Sequence, residues 1–186
     1  MTVTWYVVRA SGLVAFGVLT ISVALGLLMS GRARSARWPR FALEDVHGFA
    51  GVVGGVFIAL HGLALLVDTY LPFTLFQLVV PGTAPYRPLA TAAGIVAAEL
   101  LAALAVTNRL RQRIPHHLWR RAHYLNFAVW LLALVHGLTA GADTGTAWAE
   151  IFYTLCAASV AGLTVWRLLG PSAPPRAALR DISPSS

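Results

Sequence analysis

Five stretches of this chain are apolar over about the 20 residues that a helix needs to cross a bilayer core roughly 30 Å thick. They span 10–31, 46–67, 89–108, 122–142 and 147–166. No other feature limits the fold as sharply. In hydrocarbon every backbone N–H and C=O must find a partner within the protein, so a spanning segment is a helix or a strand of a closed barrel. Continuous apolar runs of this length lack the alternation of barrel strands. The composition agrees: 58% of the 186 residues are hydrophobic, 11% are charged and the mean hydropathy is +0.70, outside the range of a water-soluble domain. The expected fold is all-α, a polytopic membrane bundle of five helices over residues 1–170. A tail over 171–186, rich in proline, serine and alanine, is expected to be disordered. The first run is too long for a signal-peptide core and lacks a basic n-region, so it reads as a transmembrane helix. A sixth apolar run, Leu71 to Val80, is bracketed by Pro72 and Pro81 and is too short to span. It reads as interfacial or re-entrant.

The 14 basic residues are all arginine, and their placement matters more than the net charge of +7. Arg32, Arg34, Arg37 and Arg40 lie between the first and second helices. Arg109, Arg111, Arg113, Arg120 and Arg121 lie between the third and fourth, and Arg167, Arg176 and Arg180 follow the fifth. In a five-span topology these regions share one face, and only Arg9 and Arg87 fall on the other. The positive-inside rule then puts the N-terminus outside and the C-terminus in the cytoplasm. Membrane orientation explains the arginines without nucleic acid. Cys156 is the single cysteine, so no intrachain disulfide forms, and it reads as a small buried hydrophobe.

Ionisable groups at membrane depth are functional hypotheses by default. Four histidines stand there: His47 and His61 on the second helix, His123 and His136 on the fourth. These helices are separated by one crossing and therefore run in the same direction. His47 and His123 share one depth near the arginine-rich face, and His61 and His136 share another toward the opposite face. Spacings of 14 and 13 residues correspond to roughly 21 and 20 Å along a helix. Two facing imidazole pairs suit two low-spin haems, each held by an axial nitrogen from either side. Zinc fits less well, because it wants three or four ligands at one point. Three of the histidines precede a glycine (Gly48, Gly62, Gly137), and Gly51, Gly54 and Gly55 add to the second helix. Glycine allows a flat macrocycle to approach a helix closely; ordinary small-residue helix packing is the competing explanation. Fourteen residues return to nearly one helical face, about 40° off, but thirteen leave His123 and His136 about 140° apart. The fourth helix therefore needs a bulge, a tilt or side chains that reach round it.

With this pattern in place, the chain resembles the ferric-reductase-like transmembrane domain family. That family includes ferric-chelate reductases, the membrane half of NADPH oxidases and the haem-binding subunit of bacterial methionine-sulfoxide reductase. The resemblance spans roughly residues 9–166. It rests on the paired histidines, on LWRRAHYLNF before the second haem helix, and on RASGLVAFGVLT at the start of the first. It implies a b-type cytochrome of a bacterial plasma membrane. Its two haems b would be ligated by His47/His123 on the inner side and His61/His136 on the outer. Electrons would pass from a cytoplasmic flavin or quinol donor to an acceptor outside. The family's larger members continue into FAD and NADPH domains. Only twenty residues follow the fifth apolar run here, and no glycine-rich dinucleotide loop occurs. The expected donor is therefore a separate flavoprotein reductase or a quinol. A different class, a non-redox transporter or assembly factor with structural or ion-binding histidines, stands as the alternative.

Several further residues have two readings. Trp130 sits midway in depth between the proposed haems, where it either assists electron passage or fills the bundle; Phe57 is a weaker candidate for the same place. Arg9 pairs with a propionate of the outer haem or snorkels to headgroup phosphate. Arg40, Arg120 and Arg121 meet inner-haem propionates or an acidic partner, or simply set topology. His116 and His117 read as solvated. Glu99, in the middle of the third helix, is expected to be protonated and bonded to a neighbouring helix. Asp68 and Asp143 read as loop acids.

Overall fold

In a computed structural model that describes residues 2–30 and 39–169, helix α1 (Val3–Ser30) lies at the centre of an all-helical bundle. It packs along α2 (Arg40–Val67) and also touches α6 (Asn126–Ala140) and α7 (Ala147–Leu169). The short α3 (Leu75–Val79) follows α2, then come α4 (Pro88–Arg109) and α5 (His116–His123), which leads into α6. Five spans are long and apolar enough to cross a membrane: α1, α2, α4, the α5–α6 unit over His116–Ala140, and α7. The described residues contain no strand. Arg32, Arg34, Arg37, Arg176 and Arg180, and the tail over 171–186, lie outside the described residues.

The central helix satisfies two of its buried hydroxyls through its own backbone. The Ser11 hydroxyl donates to the Val7 carbonyl (2.6 Å) and the Thr20 hydroxyl to that of Phe16 (2.9 Å). Neither group then needs a partner in hydrocarbon. Around α1 the core is built from Phe16, Leu19, Val23 and Leu27, with Ala97 and Leu104 of α4, Val129 and Trp130 of α6, and Tyr153 and Val160 of α7.

The fourth span is irregular just after His123. Between α5 and α6 the backbone tightens: Tyr124 N–H donates to Arg121 O, Leu125 N–H to Ala122 O and Phe127 N–H to Tyr124 O. These are 3₁₀ bonds, which advance about 120° per residue where an α-helix advances about 100°. Three such steps reduce the mismatch between His123 and His136 from about 140° to roughly 80°.

The run from Leu71 to Val80 is not a span. It caps the bundle beside the end of α2, with Phe73 buried beneath it. Its α3 is started by a capping box: Gln77 N–H donates to the Thr74 hydroxyl (3.3 Å) and Thr74 N–H to Gln77 Oε1 (3.0 Å). Arg87 at the start of α4 donates to the Thr139 carbonyl near the end of α6, tying these spans together at the same end.

Asp68, expected to be a plain loop acid, is buried at the C-terminus of α2. It accepts short hydrogen bonds from the Thr2 and Thr4 hydroxyls and a third from Leu71 N–H (2.9 Å). It thus fastens the start of α1 to the end of α2. Burial opposes its charge, but the bonds from Thr2, Thr4, Leu71 and Tyr70 outweigh burial and hold the carboxyl below the usual range. A folded-state value below the unfolded one stabilises the protein above about pH 4. That contribution is lost as pH falls through the folded value. Thermal unfolding in detergent across pH 7 to 3 should show this acid limb, and Asp68→Asn should lower the midpoint at pH 7 and flatten the limb.

Candidate functional site

The four membrane histidines meet in two pairs, one toward each end of α2. His47 of α2 faces His123 at the end of α5, with ring centres 6.0 Å apart and planes at 68°. His61 of α2 faces His136 of α6, at 6.3 Å and 84°. These are the pairs expected from parallel helices.

Three of the rings are held in the same way. His61 Nδ1 donates to the Val8 carbonyl (2.8 Å), His47 Nδ1 to that of Ser22 (2.9 Å) and His136 Nδ1 to that of Ala90 (2.8 Å). Four residues beyond each carbonyl stands a glycine: Gly12, Gly26 and Gly94. A Cβ at Gly12 would lie 3.1 Å from the His61 ring, one at Gly26 3.5 Å from the His47 ring, and one at Gly94 2.6 Å from His136 Nδ1. Each ring therefore lies over bare backbone on the neighbouring helix, close enough to share a carbonyl already used within that helix. A carbonyl can only accept, so Nδ1 carries the proton and the other ring nitrogen keeps its lone pair. That is the tautomer a metal-binding imidazole requires, fixed by its outer partner.

His123 is the exception. Its Nδ1 lies 3.4 Å from Asn126 Nδ2, at the long edge of a hydrogen bond, and its ring stacks on Trp119 at 5.2 Å and 26°. Neither glycine nor carbonyl fixes it. The glycines singled out from the sequence play other parts. Gly48, Gly51, Gly55 and Gly62 face open space, Gly54 meets only Val18, and Gly137 lies under the Tyr153 ring. Gly12, Gly26 and Gly94 escaped sequence reasoning. The available signal was that Gly12 and Gly26 are 14 apart, like His47 and His61.

Trp130 is buried between the pairs. Its Nε1 donates to the Thr20 hydroxyl (3.0 Å), and its ring stacks on Phe16 at 6.0 Å and 26°. On α1 the two pairs are marked by Gly12 and Gly26, and Phe16 and Thr20 fall between them. Phe57 is half-buried and makes no aromatic stack among the described residues. A cavity opens beside His61 and His136, lined largely by apolar side chains together with Trp5, Arg9, Asp143 and Tyr153. Arg9 makes a two-pronged ion pair with Asp143 of the α6–α7 loop, its Nε 2.9 Å from Oδ2. Both acids read as loop residues are thus structural ties. Trp5 Nε1 is buried and has no hydrogen-bond partner among the described residues. His116 and His117 are exposed, as are Arg120 and Arg121. Glu99 is also exposed and makes no bond to a neighbouring helix among the described residues, against expectation.

The chain matches no family model, no curated protein and no solved structure.

The glycine contacts give a graded test. Gly94→Ala forces the His136 ring off its carbonyl and should destabilise the protein by about 1–3 kcal/mol, the usual cost of overpacking. Gly26→Ala meets ordinary contact and should be tolerated. Gly48→Ala meets open space and should stabilise by up to about 1 kcal/mol through helix propensity. Unfolding midpoints of the three variants in one detergent check the order.

Proposed function

We propose that the chain is the membrane part of a ferric-reductase-like electron carrier, with a b-type haem at each histidine pair. The observation that carries this reading is the ring separation. An imidazole nitrogen bonds a first-row metal at about 2.0 Å and lies roughly 1.1 Å from its ring centre, so two rings sharing one metal have centres about 6.2 Å apart. The separations of 6.0 and 6.3 Å fit that geometry. One further feature supports it. The cavity at the outer pair is mainly apolar and is lined in part by Trp5, whose Nε1, without a partner among the described residues, is a donor suited to a carboxylate at the macrocycle's edge.

In this reading His47 and His123 are the inner ligands, and His61 and His136 the outer. Bound haem iron supplies a one-electron carrier. The protein's own part is to hold the imidazoles. Val8, Ser22 and Ala90 fix three tautomers, and the missing Cβ atoms of Gly12 and Gly94 give the His61 and His136 rings room to lie there. Trp130 and Phe16 fill the interval with aromatic surface and exclude water from it. Arg9, tied to Asp143, stands at the outer rim. The arginine asymmetry supports an N-terminus outside and an inner pair toward the cytoplasm; a bacterial plasma membrane is the setting that the family resemblance implies. A flavoprotein reductase or a quinol would donate there, and an acceptor on the other side would take the electron.

A reduced-minus-oxidised spectrum of the purified protein tests the reading. Two haems b per chain are expected by pyridine haemochrome. His47→Ala and His123→Ala should remove one spectral component, and His61→Ala and His136→Ala the other. One haem or none per intact chain, or shared loss between His47→Ala and His136→Ala, contradicts it. In vesicles of known sidedness, reduced flavin on the arginine-rich side should reduce an impermeant acceptor on the other, and His61→Ala should abolish this.

A further inference from the structure

Glu99 lies midway along α4, about 16 Å from either end of the helix at 1.5 Å per residue. In a bilayer core roughly 30 Å thick that is the centre, beyond the reach of a glutamate side chain to either surface. The residue is exposed on the outside of the bundle. The ion pairs among the described residues, Arg9–Asp143 and Arg40–Glu44, do not involve it. Ionisable groups at such depth face protein rather than lipid.

The surface around Glu99 has a regular form. Leu89, Ala92, Val96, Glu99, Ala103 and Val106 follow one another at alternating steps of three and four. All are exposed except Ala92, which is half-buried. That is the spacing of a coiled-coil seam. The buried Ala97 and Leu104 turn the other way, into the core. The helix thus presents a second seam outward, with one polar residue at its middle.

We propose that this seam is the interface with a second copy of the chain. Two copies in one membrane share an orientation, so their α4 helices meet in parallel, about a two-fold axis along the membrane normal. Such an axis brings Glu99 onto Glu99 at one depth. A carboxylic acid both donates and accepts a hydrogen bond, so each Glu99 satisfies the other and no cation is needed. This self-complementarity favours a second copy over a different subunit. Ala103, one turn away, lets the helices approach closely enough for the short side chains to touch. A lone polar residue in an apolar seam also fixes register and partner number. The inference is independent of the haem reading.

The test uses the full chain in vesicles, carrying Cys156→Ser and one introduced cysteine. Val96→Cys and Ala103→Cys should crosslink between copies, and Thr154→Cys, exposed on α7, should not. Energy transfer between labelled chains at increasing lipid dilution gives the association constant. Glu99→Leu should weaken it about threefold to thirtyfold, the range for one interhelical hydrogen bond in a membrane. Glu99→Gln, whose amide also donates and accepts, should largely keep it. Helix content by circular dichroism checks that the Leu variant stays folded; if it does not, the crosslinks and the Gln variant still decide. Monomers at every dilution, crosslinking through Thr154→Cys instead, an unchanged constant in Glu99→Leu, or a different subunit captured at Val96→Cys in native membranes would each overturn the proposal.

Discussion

An imidazole inside an apolar bundle must find a partner for each of its nitrogens, and the architecture follows from how one of them is met. Three of the four membrane histidines place Nδ1 on a carbonyl of the adjacent helix. A helical carbonyl already accepts one bond from its own chain, and its second lone pair is normally shielded by nearby side chains. Removing the Cβ four residues on opens that lone pair to a ring. The bond then fixes the ring's position, its tautomer and the spacing of the two helices together. In the α1–α2 hairpin a glycine stands four residues beyond the bonded carbonyl twice, closely under the ring at Gly12 and more loosely at Gly26. Antiparallel helices keep a constant register, so a step of 14 along α2 from His47 to His61 is answered by a step of 14 back along α1, from Gly26 to Gly12.

The two ends of the bundle are built to different tolerances. At the His61/His136 end both rings have a carbonyl and a glycine. The helices there are also tied by Asp68 to Thr2 and Thr4, by Arg9 to Asp143, and by Arg87 to Thr139. At the His47/His123 end only His47 has such a seat. His123 sits at the junction of α5 and α6, where the 3₁₀ turn takes up part of the angular misfit, and it relies on Trp119 and Asn126. Between the ends, Phe16 packs against both Trp130 and Tyr153, and the Trp130 ring N–H donates to Thr20. The interval between the pairs is therefore lined by closely packed aromatic rings.

Much of this was legible from residue order alone. Apolar length determined the five spans, because hydrocarbon accepts no other backbone form for such runs. Odd and even crossings determined that α2 and the fourth span run parallel, and hence that His47 meets His123 and His61 meets His136. The 13-residue spacing left a bulge, a tilt or side chains reaching round the fourth span as the ways to bring His123 and His136 to one face. The form found, a 3₁₀ step at Tyr124 and Leu125, depended on how that span packs. The glycines that seat the histidines belong to other helices, and only packing shows which backbone each ring rests on. Local composition drew attention instead to the glycines beside the histidines, most of which face open space. Asp68 and Asp143 read as loop acids because their partners, Thr2 with Thr4 and Arg9, lie more than sixty residues away in the chain. Glu99 shows the same division: its depth follows from helix length, but its outward direction is set by which face of α4 the rest of the bundle buries. Periodicity and length act along one helix and are written in the sequence. A contact between helices depends on their mutual rotation, which the whole bundle decides.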